Sequence, residues 1–396
     1  MSKTDVYVAK GDTPYGNTRK VLSQMDLSFF KKKKVLLKPN VGRIAPVGKG
    51  ITTDPMVVAA AIDFFRENDA DVAIGESPIV GVDTMAAFRS AGIETIAKKR
   101  NCKLIDLNVG KYVTMPAPDG KAIQEFKVCH PVFEYDCIVS IPVMKMHMHT
   151  CVSLSIKNMK GCLWRRSKVD LHMLPPVEGM DEKPIDVAIA DMAGVLRPHL
   201  AIIDGTVGME GLGPSAGTAK PLGVVVAGID SFAADAVACR LMGTSAEKVP
   251  HLRMGAERNY GIIDIARLSI TPEGWEDWSS PFSPPPENLS IEFPNIRVHD
   301  RNSCSACQST LLLFLKRYRT KILDYFPQDT IINFAIGKGH DGIPENTICI
   351  GNCTNDIRQN RTFIKGCPPV ASEIMRGITG KASIDVLDGK IEIPDD

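Results

Sequence analysis

Strand-like and helix-like hydrophobic patterns alternate along the first two-thirds of the chain. Short apolar runs bounded by Gly, Pro or Asn predict buried strands at residues 35–38, 71–74, 137–141, 200–203 and 223–227. Apolar positions that recur every three to four residues predict helices at 53–68, 84–99, 185–196 and 231–242. Strands that alternate with helices are joined by right-handed crossovers. The pattern therefore predicts an α/β domain with a mostly parallel sheet and helices on both faces.

The pattern changes after residue 270. Residues 271–300 include Pro284, Pro285 and Pro286, and proline disfavours both helices and central strands, so this segment is predicted to be a Pro-rich linker. Beyond it, helices at 311–325 and 369–376 and strands at 331–336 and 347–350 predict a small second α/β unit. The predicted organisation is residues 1–270, an α/β domain, then the linker 271–300, then a second domain at 301–396.

Charge and hydropathy exclude two classes of partner. Lys and Arg total 47 and Asp and Glu total 46, which gives a net charge of +1 among 396 residues. This balance, together with the lack of interleaved basic and aromatic residues, argues against a nucleic-acid-binding protein with a structural cluster. No apolar run approaches the ~20 residues of a membrane-spanning helix, so no membrane partner is expected.

The cysteine count bears on the cellular compartment. The chain has 11 cysteines, an odd number, and its first residues, Met1–Asp12, are polar and lack the apolar stretch of a signal peptide. We therefore expect a reducing, cytoplasmic environment, where clustered cysteines indicate metal or redox chemistry more often than disulfides. The sequence leaves room for a homo-oligomer.

Five of the cysteines gather near the C-terminus: Cys304, Cys307, Cys349, Cys353 and Cys367. A C-x-x-C pair followed by two later cysteines, the last of them before Pro368, is typical of iron–sulfur clusters. Several alternatives stay open: zinc held by four cysteines, Cys349 as a ligand in place of Cys353, a thioredoxin-like redox pair, or five unrelated buried thiols.

The order C-x-x-C, Ile-Gly-x-Cys and Gly-Cys-Pro-Pro over residues 302–376 resembles the cluster-binding fold of nickel–iron hydrogenase small subunits and their relatives in complex I. The resemblance implies a small flavodoxin-like iron–sulfur domain that holds one [4Fe–4S] cluster. It also implies that the ligands are Cys304, Cys307, Cys353 and Cys367, and that Cys349 is a spare core thiol. A ferredoxin-type protein would then be the redox partner.

A group of basic residues follows the predicted strand at 137–141. Lys145 and His147 are two positions apart, so on an extended backbone they lie on one face. Lys157 and Lys160 are three apart and would share a helix face. These side chains could form a pocket for a carboxylate or phosphate, with His147 as an acid or base. The alternative is an ordinary solvated basic surface.

A glycine-rich stretch follows the predicted strand at 200–203. Asp204 is followed by five glycines at positions 205, 208, 211, 213 and 217. Loops at the carboxyl ends of strands bind ligands in α/β folds, and closely spaced glycines let amides surround an anion. This predicts ligand contacts at Gly211 and Gly213 and a functional carboxylate at Asp204. A glycine-rich turn without a ligand is the alternative.

Several short motifs within residues 35–243 resemble a known family, the domain-of-unknown-function family 362 (DUF362). They are Val35–Asn40, Lys145–His147, Ile156–Gly161, His172, Ile203–Gly205 and Met209–Pro214. Members commonly end in a ferredoxin-like cluster module, and the resemblance implies no particular reaction. The resulting hypothesis assigns Lys145, His147, Lys157 and Asp204 to catalysis, and Lys38, Asn158, Gly211 and Gly213 to cofactor or substrate binding.

These patterns favour an iron–sulfur redox enzyme. The larger domain would bind a small anionic molecule, and electrons would pass through one [4Fe–4S] cluster. The alternative is a non-catalytic electron-transfer or cofactor-assembly partner whose lysines and glycines form a protein interface.

Overall fold

The computed structural model describes residues 3–285 and 293–380. The chain forms two compact units, Met1–Pro285 and Pro286–Asp396. Part of the segment predicted as a linker belongs to the first unit, because Trp275 and Phe282 are buried in its core.

The first unit contains a large sheet, a small hairpin and helices. Its strands are β1 (Thr4–Lys10), β2 (Lys34–Pro39), β3 (Asp71–Glu76), β4 (Lys103–Asp106), β5 (Tyr112–Pro116), β6 (Glu125–Cys129), β7 (Cys137–Ile141), β8 (Val143–His147), β9 (Cys151–Ser153), β10 (Leu200–Glu210), β11 (Thr218–Gly228) and β12 (Leu268–Thr271). Its helices are α1 (Pro14–Ser23), α2 (Pro55–Glu67), α3 (Thr84–Ser90), α4 (Ile93–Lys99), α5 (Ser155–Asn158), α6 (Ser167–Asp170), α7 (Pro184–Val195), α8 (Ser231–Leu241) and α9 (Pro250–Glu257).

The large sheet is mostly parallel. Its main path runs β12-β1-β11-β10-β7-β2-β3-β4, and β8 pairs with β10 and β9 beside this path. The pairs β10–β7, β7–β2, β2–β3 and β3–β4 are parallel, whereas β11 runs antiparallel to both β1 and β10. The predicted α/β class with a mostly parallel sheet is confirmed.

Alternate residues of the central strands enter two different cores. Leu36 of β2 belongs to one core and its neighbours Val35 and Leu37 belong to the other. The first core is closed by apolar residues of α7 and α8, and the second by residues of α1 to α4. Helices therefore cover both faces of the sheet, because successive strand residues point in opposite directions.

Local capping explains where the helices begin and end. The Asp54 carboxylate accepts a hydrogen bond from the Met56 amide and caps α2, and Pro55 occupies the first turn. The single helix predicted at 84–99 is wrong, since the chain forms α3 and α4 there. Gly92 separates them with φ 73°, a left-handed conformation that glycine adopts without strain.

The glycine-rich stretch is divided between a strand and a turn: Gly205 and Gly208 lie in β10, and Gly211, Gly213 and Gly217 lie in the turn that follows it. The predicted strands at 200–203 and 223–227 extend to Glu210 and back to Thr218, and they form the antiparallel pair β10–β11 with a short turn between. Gly205 lies within β10, where a Cβ would meet Val224 Cγ2 at 2.6 Å and Met144 Sδ at 2.8 Å. Close packing between neighbouring strands is therefore the reason for glycine at this position.

The second unit is a smaller α/β unit. It contains β13 (Ile296–Arg301), α10 (Ser305–Leu323), β14 (Ile332–Gly337), β15 (Ile348–Ile350), β16 (Phe363–Ile364) and α11 (Ala371–Thr379). The four described strands are parallel and lie in sequential order, β13-β14-β15-β16. In a flavodoxin-like sheet the first strand lies between the second and the third, so the described strands do not have the predicted flavodoxin-like order.

No helix within residues 3–285 or 293–380 is long and apolar enough to cross a membrane.

Candidate functional site

The short strand β8 carries two of the predicted catalytic residues. Lys145 and His147 are alternate residues of this strand and are both almost completely buried. Met144 and Met146, on either side of Lys145 in the strand, pack into the hydrophobic core. The two-residue spacing therefore places the polar side chains on one face of β8, as predicted.

Lys38 forms a buried network beside this strand. Its Nζ donates hydrogen bonds to Glu76 Oε2 at 2.9 Å, to Asn158 Oδ1 at 3.0 Å and to the Pro39 carbonyl at 3.0 Å. These three acceptors match the three N–H groups of an ammonium. The network therefore uses the full donor capacity of Lys38, a predicted ligand-binding residue, within the protein.

Asn158 links helix α5 to the strand that carries Lys38. Its amide nitrogen donates to the Lys38 carbonyl at 3.0 Å and to Ser140 Oγ at 3.0 Å. Gly161 lies against the same ion pair, where a Cβ would lie 2.5 Å from Lys38 Nζ and closer still to Glu76 Oε1. Asn158, another predicted binding residue, therefore uses its side chain to hold Lys38 and Ser140 in place.

Lys145 has a different set of partners. Its Nζ donates to Asn40 Oδ1 at 2.6 Å and to the Ile51 carbonyl at 2.5 Å, and both acceptors are uncharged. Burial and the nearby charges of Lys157 and Arg43 hold the pKa of Lys145 well below its ordinary value.

The ring of His147 is oriented by the backbone. Its Nδ1 accepts a hydrogen bond from the His149 amide at 3.1 Å. In the neutral ring the proton therefore lies on Nε2. Burial, followed by the charge of Lys157, lowers the pKa of His147 well below its ordinary value, so a neutral imidazole is favoured near pH 7.

Two further histidines extend this group. The rings of His147 and His149 lie 5.9 Å apart in an edge-to-face arrangement, and those of His149 and His172 lie 6.2 Å apart in the same manner. Lys160 Nζ lies 2.7 Å from His172 Nε2. Lys157 Nζ donates to Ser153 Oγ at 3.1 Å.

We refer to Arg43, Lys145, His147, Lys157, Lys160 and His172 as the cationic cluster. Burial is the main cause that lowers the pKa of every member, and for Lys157 the pKa falls to about 8. Arg43, Lys157 and Lys160 nevertheless keep solvent-accessible surface. The cluster therefore reaches from the interior to the protein surface, and we call the partly exposed region beside these three side chains the recess.

Carboxylates offset this charge only in part. Glu76 raises the pKa of Lys145, but its carboxylate is paired with Lys38. Asp186 raises the pKa of Lys157, and its carboxylate lies 2.8 Å from His251 Nδ1. Lys157, with a pKa of about 8, keeps most of its charge at pH 7 and can therefore attract a small anion.

Asp204, predicted to be catalytic, is a buried acceptor of backbone hydrogen bonds. Its carboxylate accepts from the Asp54 amide at 2.7 Å and from the Thr206 amide at 2.9 Å. Burial raises the pKa of Asp204 to about 6. These hydrogen bonds connect the start of α2 to β10, so the Asp204 carboxylate has a structural role in this region.

Gly211 and Gly213 lie in the turn between β10 and β11. The Gly213 carbonyl accepts a hydrogen bond from the Met148 amide at 3.1 Å. A Cβ on Gly213 would collide with the Met146 carbonyl oxygen. Gly213 thus packs against the backbone of the histidine segment, whereas the Gly211 amide donates to the Ser283 carbonyl at 2.7 Å, so these two predicted ligand contacts have structural roles.

In the second unit, four cysteines lie close together. Cys304 is the N-cap of α10, and Cys307 lies in the first turn of that helix. The charge states of Cys304, Cys353 and Cys367 all act on the pKa of Cys307 and raise it. Gly351 has φ 88°, and a Cβ there would lie 3.4 Å from Cys307 Sγ, so the buried thiol packs against the backbone of Gly351.

Cys304 has the character of a thiolate. A hydrogen bond with the Cys307 thiol and amides at the start of α10 lower its pKa to about 6. Cys349, in contrast, is completely buried in β15 and contacts the Thr347 carbonyl. Among residues 3–285 and 293–380, no three His, Cys, Asp or Glu side chains are arranged to hold a single metal ion.

Sequence reasoning assigned no role to two residues of the recess, Arg43 and Asn40. Both follow β2 just beyond the carboxyl end of a strand, and Asn40 also ends the Val35–Asn40 motif. His149 and His172 gave individually weak signals, and their importance depends on the ring contacts with His147 that the fold creates.

Comparisons with known proteins agree with these motifs. The thylakoid-associated protein sll1697 of Synechocystis sp. is 25% identical over 233 residues, which are 59% of this chain and 70% of that protein. The lactate racemase apoprotein from Thermoanaerobacterium thermosaccharolyticum matches at 11% identity and a TM-score of 0.40, over 84% of this chain and 69% of that chain, and this likeness carries no conclusion about the site. The family described as a domain of unknown function (DUF362) matches residues 35–240, which is more than half of the chain. The protein therefore belongs to the DUF362 family.

Proposed function

We propose that this protein is an iron–sulfur redox enzyme that binds a small anionic substrate in the recess of the first unit. Electrons would reach the substrate through one [4Fe–4S] cluster in the second unit, supplied by a ferredoxin-type partner. The observation that carries the proposal is the convergence of Lys145, Lys157 and Lys160 with His147 and His172 on one partly accessible recess.

The recess favours a carboxylate or phosphate ligand. Burying several like charges together costs free energy, and a bound anion offsets that cost. Lys157 has a pKa of about 8, so most of this group carries charge at pH 7, while His147 stays neutral with Nε2–H as a donor. One side chain can therefore hold the anion while the other exchanges a proton with the substrate.

The cysteines of the second unit are the proposed ligands of the cluster. Cys304, Cys353 and Cys367 all raise the pKa of Cys307, so their sulfur atoms lie near that of Cys307. A [4Fe–4S] cluster needs four surrounding thiolates, and Cys304, Cys307, Cys353 and Cys367 would be its ligands.

Anion binding is tested by titration calorimetry with oxalate and inorganic phosphate. We expect Lys157→Ala to weaken binding about 10- to 100-fold, because a hydrogen bond to a charged group contributes roughly 1.5–3 kcal/mol. The matched control is Lys31→Ala, which removes the same charge from a 60% exposed side chain. Equal effects in both variants would contradict an anion site in the recess.

The cluster is tested by iron and acid-labile sulfide analysis after anaerobic purification. We expect about four of each per chain and an absorbance change on reduction with dithionite. Cys307→Ala should lose the iron, whereas the matched control Cys349→Ala should keep it. One zinc per chain, or iron loss in the Cys349 variant alone, would overturn the assignment.

A non-catalytic electron carrier is the second candidate, and it is favoured by the thiolate character of Cys304, which needs no substrate pocket. Reoxidation of the reduced cluster by a panel of small carboxylates and phosphates separates the two functions. An enzyme loses this reoxidation in the His147→Ala variant while the cluster stays intact. A carrier shows no reoxidation by small anions and is oxidised only by a protein partner.

A further inference from the structure

The two buried lysines beside the recess differ in the number and charge of their acceptors. Lys38 Nζ has three acceptors, and one of them is the Glu76 carboxylate. Lys145 Nζ has two acceptors, and neither the Asn40 amide oxygen nor the Ile51 carbonyl carries a charge. The two nitrogens therefore lie in different hydrogen-bonding environments.

Two acceptors match a neutral amine. An ammonium has three N–H groups and no lone pair, whereas a neutral amine has two N–H groups and one lone pair. Lys145 can donate both N–H groups to its two acceptors. The lone pair then occupies the remaining tetrahedral direction, which no acceptor of the described structure takes.

The surrounding charges favour the same form. Lys157, Arg43 and Lys38 act on Lys145 as like charges, and Glu76 is the opposing carboxylate. Because Glu76 is already bonded to Lys38, the net effect of burial and neighbours lowers the pKa of Lys145 well below its ordinary value. A desolvated lysine next to other cations is the usual form of an amine nucleophile.

We propose that Lys145 is a nucleophile that forms an imine with the carbonyl carbon of a small oxo acid. This inference rests on the proposed function, because Lys157 and Lys160 would hold the carboxylate of the same substrate. It narrows the substrate class from anions in general to anions that carry a ketone or aldehyde group.

The step balances without an oxidant or reductant. The lone pair of Lys145 Nζ attacks the carbonyl carbon, and the electron pair of the carbon–oxygen double bond moves to oxygen. The two protons of the amine leave with that oxygen as water, and a carbon–nitrogen double bond forms. His147 lies on the same face of β8 and can move these protons, because its ring is neutral and bears a proton on Nε2.

Reductive trapping tests the proposal on the full chain. Glyoxylate or pyruvate with cyanoborohydride should convert Lys145 to a secondary amine, which peptide mass spectrometry identifies. Lys38 serves as the internal control and should remain unmodified. Labelling of Lys157 instead of Lys145, or of no lysine in the recess, would overturn the assignment.

A variant that adds a negative charge beside Lys145 tests the role of the neutral amine without removing the lysine. Asn40→Asp keeps the shape of the acceptor and places a carboxylate beside Nζ, which favours the ammonium. We expect trapping at pH 7 to slow at least about tenfold, since each pKa unit changes the neutral fraction tenfold, and to recover as the pH rises. An unchanged rate at pH 7 contradicts the proposal. Lys145→Arg should abolish the label at this position.

Oxalate binding distinguishes failure of this inference from failure of the proposed function. Oxalate has no ketone or aldehyde, so its binding by the wild-type chain depends only on the cationic cluster. If oxalate binds but Lys145 is not trapped, the imine proposal is wrong and the proposed anion site is retained. Loss of both would overturn the two together.

Discussion

Lys38 and Glu76 form an ion pair at 2.9 Å in which both side chains are almost completely buried. Removing one partner of such a pair leaves an uncompensated charge in the interior. We expect Lys38→Met to lower the free energy of unfolding by about 3–5 kcal/mol, measured by urea denaturation. The control is Arg19→Met, which breaks a partly exposed pair with Glu67 and should cost about 1 kcal/mol or less. Similar losses in the two variants would contradict a structural role for Lys38.

Gly161 should not tolerate a side chain. A methyl group there would lie 2.5 Å from Lys38 Nζ, which is held by three acceptors and cannot move away freely. We expect Gly161→Ala to destabilise the protein by about 1–3 kcal/mol. Gly42→Ala is the matched control, since its nearest atom would be 4.0 Å away and its φ is not left-handed. The prediction fails if thermal melting of the two variants is the same.

Asp204 should make stability depend on pH in the acidic range. Burial raises the pKa of its carboxyl from 3.8 to about 6, so the folded state binds a proton that the unfolded state has released. The stabilisation is fully present below about pH 4 and is lost as the pH rises through about 6, by roughly 3 kcal/mol. The difference in unfolding free energy between wild type and Asp204→Asn, measured from pH 4 to 7, should show this slope. A difference that is constant with pH would refute it.

Cys304 should react as a thiolate in protein prepared without metal. Its pKa of about 6 implies that alkylation by iodoacetamide has a midpoint near pH 6. Cys151 is partly exposed but burial raises its pKa, so its midpoint should lie above 9 and it serves as the reference thiol. Cys307→Ala removes the largest cause of the shift and should move the Cys304 midpoint to higher pH. Peptide mass spectrometry measures both rates, and identical pH profiles would exclude the thiolate.

Elements with local signals were predictable from the sequence. The strand at Cys137–Ile141 has the predicted bounds, and the helix predicted at 53–68 is present as α2, with Asp54 as its cap and Pro55 in its first turn. In both cases the signal lies in a few consecutive residues, an apolar run for the strand and a capping carboxylate before a proline for the helix. The break at Gly92 was missed because the apolar period continues across it, and only the backbone angle ends the helix.

The roles of individual site residues depend on distant contacts, which the sequence does not reveal. Lys38 and Lys145 are both lysines within strands. Nevertheless, Lys38 Nζ donates a hydrogen bond to the Glu76 carboxylate, whereas Lys145 Nζ donates to the Asn40 amide oxygen. Asp204 follows a strand end like many catalytic carboxylates, and the backbone amides of Asp54 and Thr206 occupy its oxygens. The fold class was therefore more predictable than the chemistry of each residue.

The alternation along β8 limits how this protein can change. Lys145 and His147 lie on the face of β8 that borders the recess, and Met144 and Met146 pack into the core on the opposite face. Inserting or deleting one residue would exchange the two faces, so that the lysine would enter the core and the methionines would line the recess. New specificities in this part of the chain can therefore arise by substitution, whereas a change in its length would damage folding and chemistry at once.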